Sequence, residues 1–120
     1  MKLNSIRPTL WVDNVRATID WYVNTLGFNE ADYVEEWHWG AVVKDEVEIM
    51  FSRPNEHMAY NGAQFTGSLY MNTNNVEAWW KKLKDDQNIF YEIESFDYGM
   101  KEFAIKDCNG YILQFGQNIS

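Results

Sequence analysis

Cysteine is nearly absent from this 120-residue chain, Cys108 being the only one. An intrachain disulfide and a thiolate cluster for zinc are therefore excluded, and the pattern suits a reducing compartment. Cys108 itself reads as a passive turn residue. Long apolar runs are missing as well: none approaches the ~20 residues needed to cross a bilayer, and the N-terminus lacks the charged-then-apolar pattern of a secretory signal. A soluble, cytoplasmic protein with no membrane partner is the expectation. Basic residues are scarce, ten Lys and Arg against eighteen Asp and Glu, for a formal charge of −8. Nucleic acid binding depends on a basic surface that displaces counterions, so it is set aside. The negative field keeps a protein dispersed, and it would also attract a cationic ligand. No Ser-His-Asp or Cys-His arrangement and no Gly-rich phosphate loop is found, so no catalytic residue is assigned.

What is abundant is aromatic surface: 17% of the residues, including six Trp, within a hydrophobic content of 46%. That content fills a compact core and argues against disorder, and the surplus rings belong in the core, a pocket or an interface. The chain also repeats itself. Leu10-Trp11-Val12 leads into Asp13-Asn14 and a stretch whose Val15, Ile19, Tyr22, Val23 and Leu26 share one helical face, ended by Gly27-Phe28. Leu69-Tyr70-Met71 leads likewise into Asn74-Asn75-Val76-Glu77, where Asn74 and Glu77 have the spacing of a capping box and Val76, Trp80 and Leu83 supply the stripe. Three strands are expected after each helix, the last two joined by the turns Lys44-Asp45-Glu46 and Asp107-Cys108-Asn109-Gly110. Each half therefore reads strand, helix, strand, strand, strand, with a first module over 1–60 and a second over 61–120.

The repeated module, the Leu10-Trp11-Val12-Asp13 entry, the Trp21-Tyr22 to Leu26-Gly27-Phe28 helix end and the Asp107-x-Asn109-Gly110 turn resemble the vicinal oxygen chelate superfamily along essentially the whole chain. That superfamily holds glyoxalase I, extradiol dioxygenases, epimerases, metallothiol fosfomycin resistance enzymes and bleomycin resistance proteins. The resemblance implies an α+β fold in which two βαβββ modules form an eight-stranded curled sheet around a cavity, helices outside. Strand alternation agrees: Leu10 and Val12, Ile49 and Phe51, Leu69 and Met71, and Leu113 and Phe115 fall in one phase that backs onto the helices. The other phase, with Arg7, Thr9 and Trp11, Glu48, Met50 and Ser52, Ser68, Tyr70 and Asn72, and Ile112, Gln114 and Gly116, then faces the cavity.

The metal-using members take one ligand from each of four such strands, and by register those positions are Arg7, Met50, Ser68 and Gln114 here. Arg does not deprotonate, a thioether is a poor ligand for hard cations, and Gln114 alone does not make a site. No metal and no cofactor are expected. His38 is expected in a strand between Trp37 and Trp39, and His57 in the Pro54-Asn55-Glu56-His57 loop. Glu35 and Glu36, taken as neighbours on a strand, would point to opposite faces and not converge. The expected binding inventory is Trp11, Trp37, His38, Met50 and Tyr70 for stacking, with Arg7, Glu48, Ser68, Asn72 and Gln114 for hydrogen bonds. Three readings follow, two from the resemblance and one from the surplus of tryptophan. The first is a metal-free, dimeric small-molecule binder like the bleomycin resistance proteins, taking an aromatic and cationic ligand. The others are a metal-dependent lyase, dioxygenase or epimerase, and a structural or regulatory homodimer.

Overall fold

The computed structural model describes residues 1–57 and 59–120. It divides into two compact units, Met1–Ala63 and Gln64–Ser120. In the first, β1 (Thr9–Trp11) is followed by α1 (Val15–Leu26), β2 (Asn29–Val34), β3 (Trp39–Lys44) and β4 (Val47–Ser52). In the second, β5 (Leu69–Asn72) is followed by α2 (Val76–Leu83), β6 (Asn88–Phe96), β7 (Met100–Lys106) and β8 (Ile112–Asn118). Each unit is thus a βαβββ module in an α+β fold. The hydrogen bonds run within each module as a four-stranded sheet, ordered β1-β4-β3-β2 and β5-β8-β7-β6. The first and last strands of each module pair in parallel and the remaining pairs are antiparallel.

Helix α1 forms where its apolar spacing and its end signals coincide. Asn14 Oδ1 accepts the Ala17 N–H at 2.9 Å, satisfying one of the free donors of the first turn. At the other end Gly27 takes φ 78°, a left-handed conformation that costs glycine little. The Gly27 and Phe28 N–H groups then turn back onto the Val23 and Tyr22 carbonyls at 3.2 Å. The buried face is Val15, Thr18, Ile19, Tyr22 and Leu26, with Tyr22 between Phe28 and Phe51 at centroid distances of 5.6 and 4.9 Å. The helix lies close to its sheet because Gly40 has no side chain: a Cβ there would stand 2.5 Å from Ile19 Cδ1.

Helix α2 corrects the expected cap. Asn75, not Asn74, is the N-cap, its Oδ1 accepting the Ala78 N–H at 3.1 Å. Glu77 does not reach back to complete a capping box; it pairs with Lys101 of β7, and that ammonium holds its carboxyl below the usual range. The next free helix donor, the Val76 N–H, is taken by Gln117 Oε1 of β8 at 2.9 Å. A long-range partner thus satisfies a first-turn donor that the Asn75 cap leaves open. Below the helix, Phe103 and Phe115 stack at 5.0 Å, and Trp79 and Trp80 cover them at 5.0 and 5.2 Å. The β7–β8 turn is built as its residues suggest: the buried Asp107 accepts the Asn109 and Tyr111 N–H groups at 2.9 Å, and Gly110 takes φ 98°.

Residues 35–37 form a short 3-10 turn rather than a strand, and His38 closes it at φ 48°, exposed to solvent. Trp37 is 72% exposed. The aromatic run at 37–39 therefore does not stay in one strand, since a left-handed residue breaks the pleat between Trp37 and Trp39. Among the described residues, no helix is long and apolar enough to cross a membrane. The cap assignment is testable by urea unfolding. Asn75→Ala is expected to cost ~1 kcal/mol, while Asn74→Ala stays within ~0.5 kcal/mol; the reverse order would return the cap to Asn74.

Candidate functional site

Strand alternation gives each sheet one face against its helix and a second face free for chemistry. In the second module the committed face carries Met71, Phe103, Ile105, Leu113 and Phe115, all buried. The opposite face is fixed by register: Tyr70 stands beside Gln114, Asn72 and Glu102 stand on either side of Gly116, and Ala104 lies between Gln114 and Tyr91. At its centre is Glu102, a carboxylate only 3% exposed.

Three tyrosine hydroxyls converge on it. Tyr70 donates to Oε2; Tyr98, from the turn between β6 and β7, donates to Oε1; and Tyr91 donates to Oε1 at 3.1 Å. Tyr70 comes from β5, two strands away from Glu102 on β7, and its ring must pass over β8 to arrive. It passes over Gly116, where a Cβ would collide with the hydroxyl and lie 2.5 Å from Cζ. The glycine is required here for space, not for its backbone angle. Gln114 extends the network, donating from Nε2 to Tyr91 Oη at 2.8 Å and accepting the Ser68 hydroxyl at Oε1.

Glu102 joins no ion pair among the described residues. Its neighbour Lys101 points to the other face and is engaged by Glu77. A buried charge without a cation is costly, and here hydroxyl dipoles alone satisfy it. The tyrosines register that arrangement. Tyr98 is pushed up to about 12, first because its hydroxyl donates to Glu102. Tyr70 is raised further, by burial and then by the same carboxylate. Tyr91 is raised by burial, partly offset by the Gln114 hydrogen bond. In each case a tyrosinate would lose its hydrogen bond and face a like charge.

The expected site residues divide into three groups. Ser68, Tyr70 and Gln114 meet in the network above. Asn72 lies on the same face and is exposed. In the first module Arg7 and Glu48 pair with each other at 3.1 Å, both partly exposed, a contact of small energetic weight. There Met50 stands across from Thr9, and Trp11 meets the edge of the Tyr60 ring at 6.1 Å while its carbonyl accepts the Tyr60 hydroxyl at 2.9 Å. Trp37 and His38 belong to the 3-10 turn and not to a strand face. Sequence reasoning missed Glu102, Tyr91 and Tyr98. The period-two pattern of Met100–Lys106 carried the signal for Glu102, since Phe103 and Ile105 take the core phase.

Neither the Arg7 guanidinium paired with Glu48 and the Met50 thioether in the first module, nor the Ser68 hydroxyl and Gln114 amide bonded to each other in the second, offers a donor set for a divalent ion. Among the described residues no three His, Cys, Asp or Glu side chains form a group that could hold a metal.

The family model of the Glyoxalase/Bleomycin resistance protein/Dioxygenase superfamily matches residues 2–115, and the chain belongs to that superfamily. No curated protein sequence matches it. Among solved structures it is similar to a member of the superfamily from Sphaerobacter thermophilus, with 19% identity, a TM-score of 0.81 and coverage of 97% of this chain and 98% of that one. TioX from Micromonospora sp. ML1 gives 12% identity and a TM-score of 0.77 over 96% and 98% of the two chains. A lactoylglutathione lyase from Agrobacterium tumefaciens gives 14% and 0.75 over 98% and 96%. At these identities the likeness is one of fold.

The tyrosine ring has a measurable consequence in alkali. The folded state holds the Tyr70, Tyr91 and Tyr98 protons more tightly than the unfolded chain does, so their contribution to stability is complete below about pH 10 and is lost as pH rises through their raised folded-state values, for Tyr98 about 12. Tyrosinate absorbance should therefore show Tyr70, Tyr91 and Tyr98 titrating late. Gly116→Ala should return Tyr70 toward ordinary titration by expelling its ring. Uniform titration near pH 10 in the native protein would contradict the network.

Proposed function

We propose that this protein is a metal-independent binder of a small aromatic, cationic ligand, in the manner of the bleomycin resistance branch of its superfamily. The observation that carries the reading is the buried Glu102 carboxylate, surrounded by tyrosines and with no cationic partner among the described residues. A cation beside it would offset the remaining cost of burying the charge, and the neighbouring rings would add roughly 0.5–2 kcal/mol of cation–π attraction. The overall charge of −8 favours the approach of such a ligand. The side chains at Arg7, Met50, Ser68 and Gln114 support binding over metal-assisted chemistry, because a lyase, dioxygenase or epimerase of this superfamily needs a different donor set there.

Tryptophan and tyrosine fluorescence during titration with bleomycin, as a cationic heteroaromatic probe, tests the reading. Dissociation constants of about 1 μM or tighter are expected, unchanged by chelator, with at least a tenfold loss in Glu102→Gln. One tightly held divalent ion per chain, whose removal abolishes binding, would overturn it.

A further inference from the structure

Tyr98 occupies the site as a ligand would. It stands in the turn between β6 and β7, where Gly99 takes φ 85° and its N–H meets the Phe96 carbonyl at 3.0 Å. The Tyr98 ring lies nearly parallel to Phe96, with centroids 5.3 Å apart and planes 10° apart, and its hydroxyl reaches Glu102 Oε1. Tyr91 forms the neighbouring wall, its ring edge-on to Phe96 at 6.1 Å. The slot therefore fits a flat ring with a hydrogen-bond donor at its far end.

Of the three donors to Glu102, Tyr98 is held least firmly. It is 65% exposed, against 39% for Tyr70, and it lacks the Gln114 bond that also fixes the half-buried Tyr91. Its partner, by contrast, is a buried acceptor with no cation among the described residues. A charged N–H donor bonds a carboxylate roughly twice as strongly as a neutral hydroxyl does. Exchange of Tyr98 for a cationic ring therefore replaces a weak donor by a strong one, while Tyr70 and Tyr91 keep the carboxylate in place.

We infer that the ligand is an aromatic ring bearing a protonated N–H group, an amidinium or primary ammonium, and that it binds by displacing Tyr98, its ring on Phe96 and its N–H on Glu102. The inference rests on the binding reading above and narrows it. A quaternary ammonium has the charge but no donor, and an aromatic alcohol has a donor but no charge, so neither satisfies the slot. Tyr98 is then an internal competitor that keeps Glu102 satisfied until the ligand arrives.

NMR titration of the full chain with benzamidine, phenyltrimethylammonium and benzyl alcohol separates these requirements. Benzamidine is expected to bind about tenfold or more tightly than either of the others, with amide shifts centred on 96–102. Tyr98→Ala, made in an exposed turn, should tighten benzamidine several-fold and leave phenyltrimethylammonium unchanged. Glu102→Gln should abolish the preference, with circular dichroism checking its fold. Equal affinity for benzamidine and phenyltrimethylammonium, or weaker benzamidine binding by Tyr98→Ala, overturns the N–H and displacement inference while leaving the broader binding reading intact. Failure of all three probes with the unaltered chain and with Tyr98→Ala overturns it as well, and the bleomycin titration then decides the broader reading separately.

Discussion

Each helix covers one face of one four-stranded sheet, and the pleat assigns every second residue to that face. This constraint organises both modules. Phe103, Ile105, Leu113 and Phe115 pack beneath α2, so Glu102, Ala104, Gln114 and Gly116 must stand on the other side. A shift of one residue in β7 would bury Glu102 among the rings and turn Phe103 away from them, and the penalty on both groups pins the register. The chemistry at Glu102 is thus secured by the hydrophobic core behind it.

The two modules use the same scaffold differently. Register places Ser52 of β4 opposite Trp39 of β3, as Gly116 of β8 is opposite Glu102 of β7, and Met50 opposite Ala41, as Gln114 is opposite Ala104. Where the first module has an indole, the second has a carboxylate; where the first has a hydroxymethyl side chain, the second has bare backbone. The bare position is what admits Tyr70 across β8, so one missing Cβ and one acidic residue convert a generic strand face into a polar centre. The first module instead pairs Arg7 with Glu48 and leaves Trp11 beside Tyr60.

Much of the architecture was readable in the chain itself. The duplicated order of elements, both turns and the core phase of eight residues follow from local signals that tertiary contacts reinforce. Errors arose where local and long-range signals competed. Asn74 and Glu77 have the spacing of a capping box, but Asn75 caps the helix and Lys101 takes Glu77, because β7 brings an ammonium within reach. Trp37-His38-Trp39 has the composition of a strand, yet His38 at φ 48° ends a 3-10 turn before β3 begins.

The candidate site was half legible for the same reason. Ser68, Tyr70 and Gln114 follow from period-two alternation in β5 and β8, which is a property of sequence. Their joining to Glu102, Tyr91 and Tyr98 is not. It depends on irregular register in β6 between Ile89 and Glu94, on a turn that folds Tyr98 back, and on a ring crossing an intervening strand. Alternation determines which face a side chain occupies, because the pleat is local. Which hydroxyls meet one carboxylate was decided only by the tertiary structure, because strand order and bulges set distances between residues far apart in the chain.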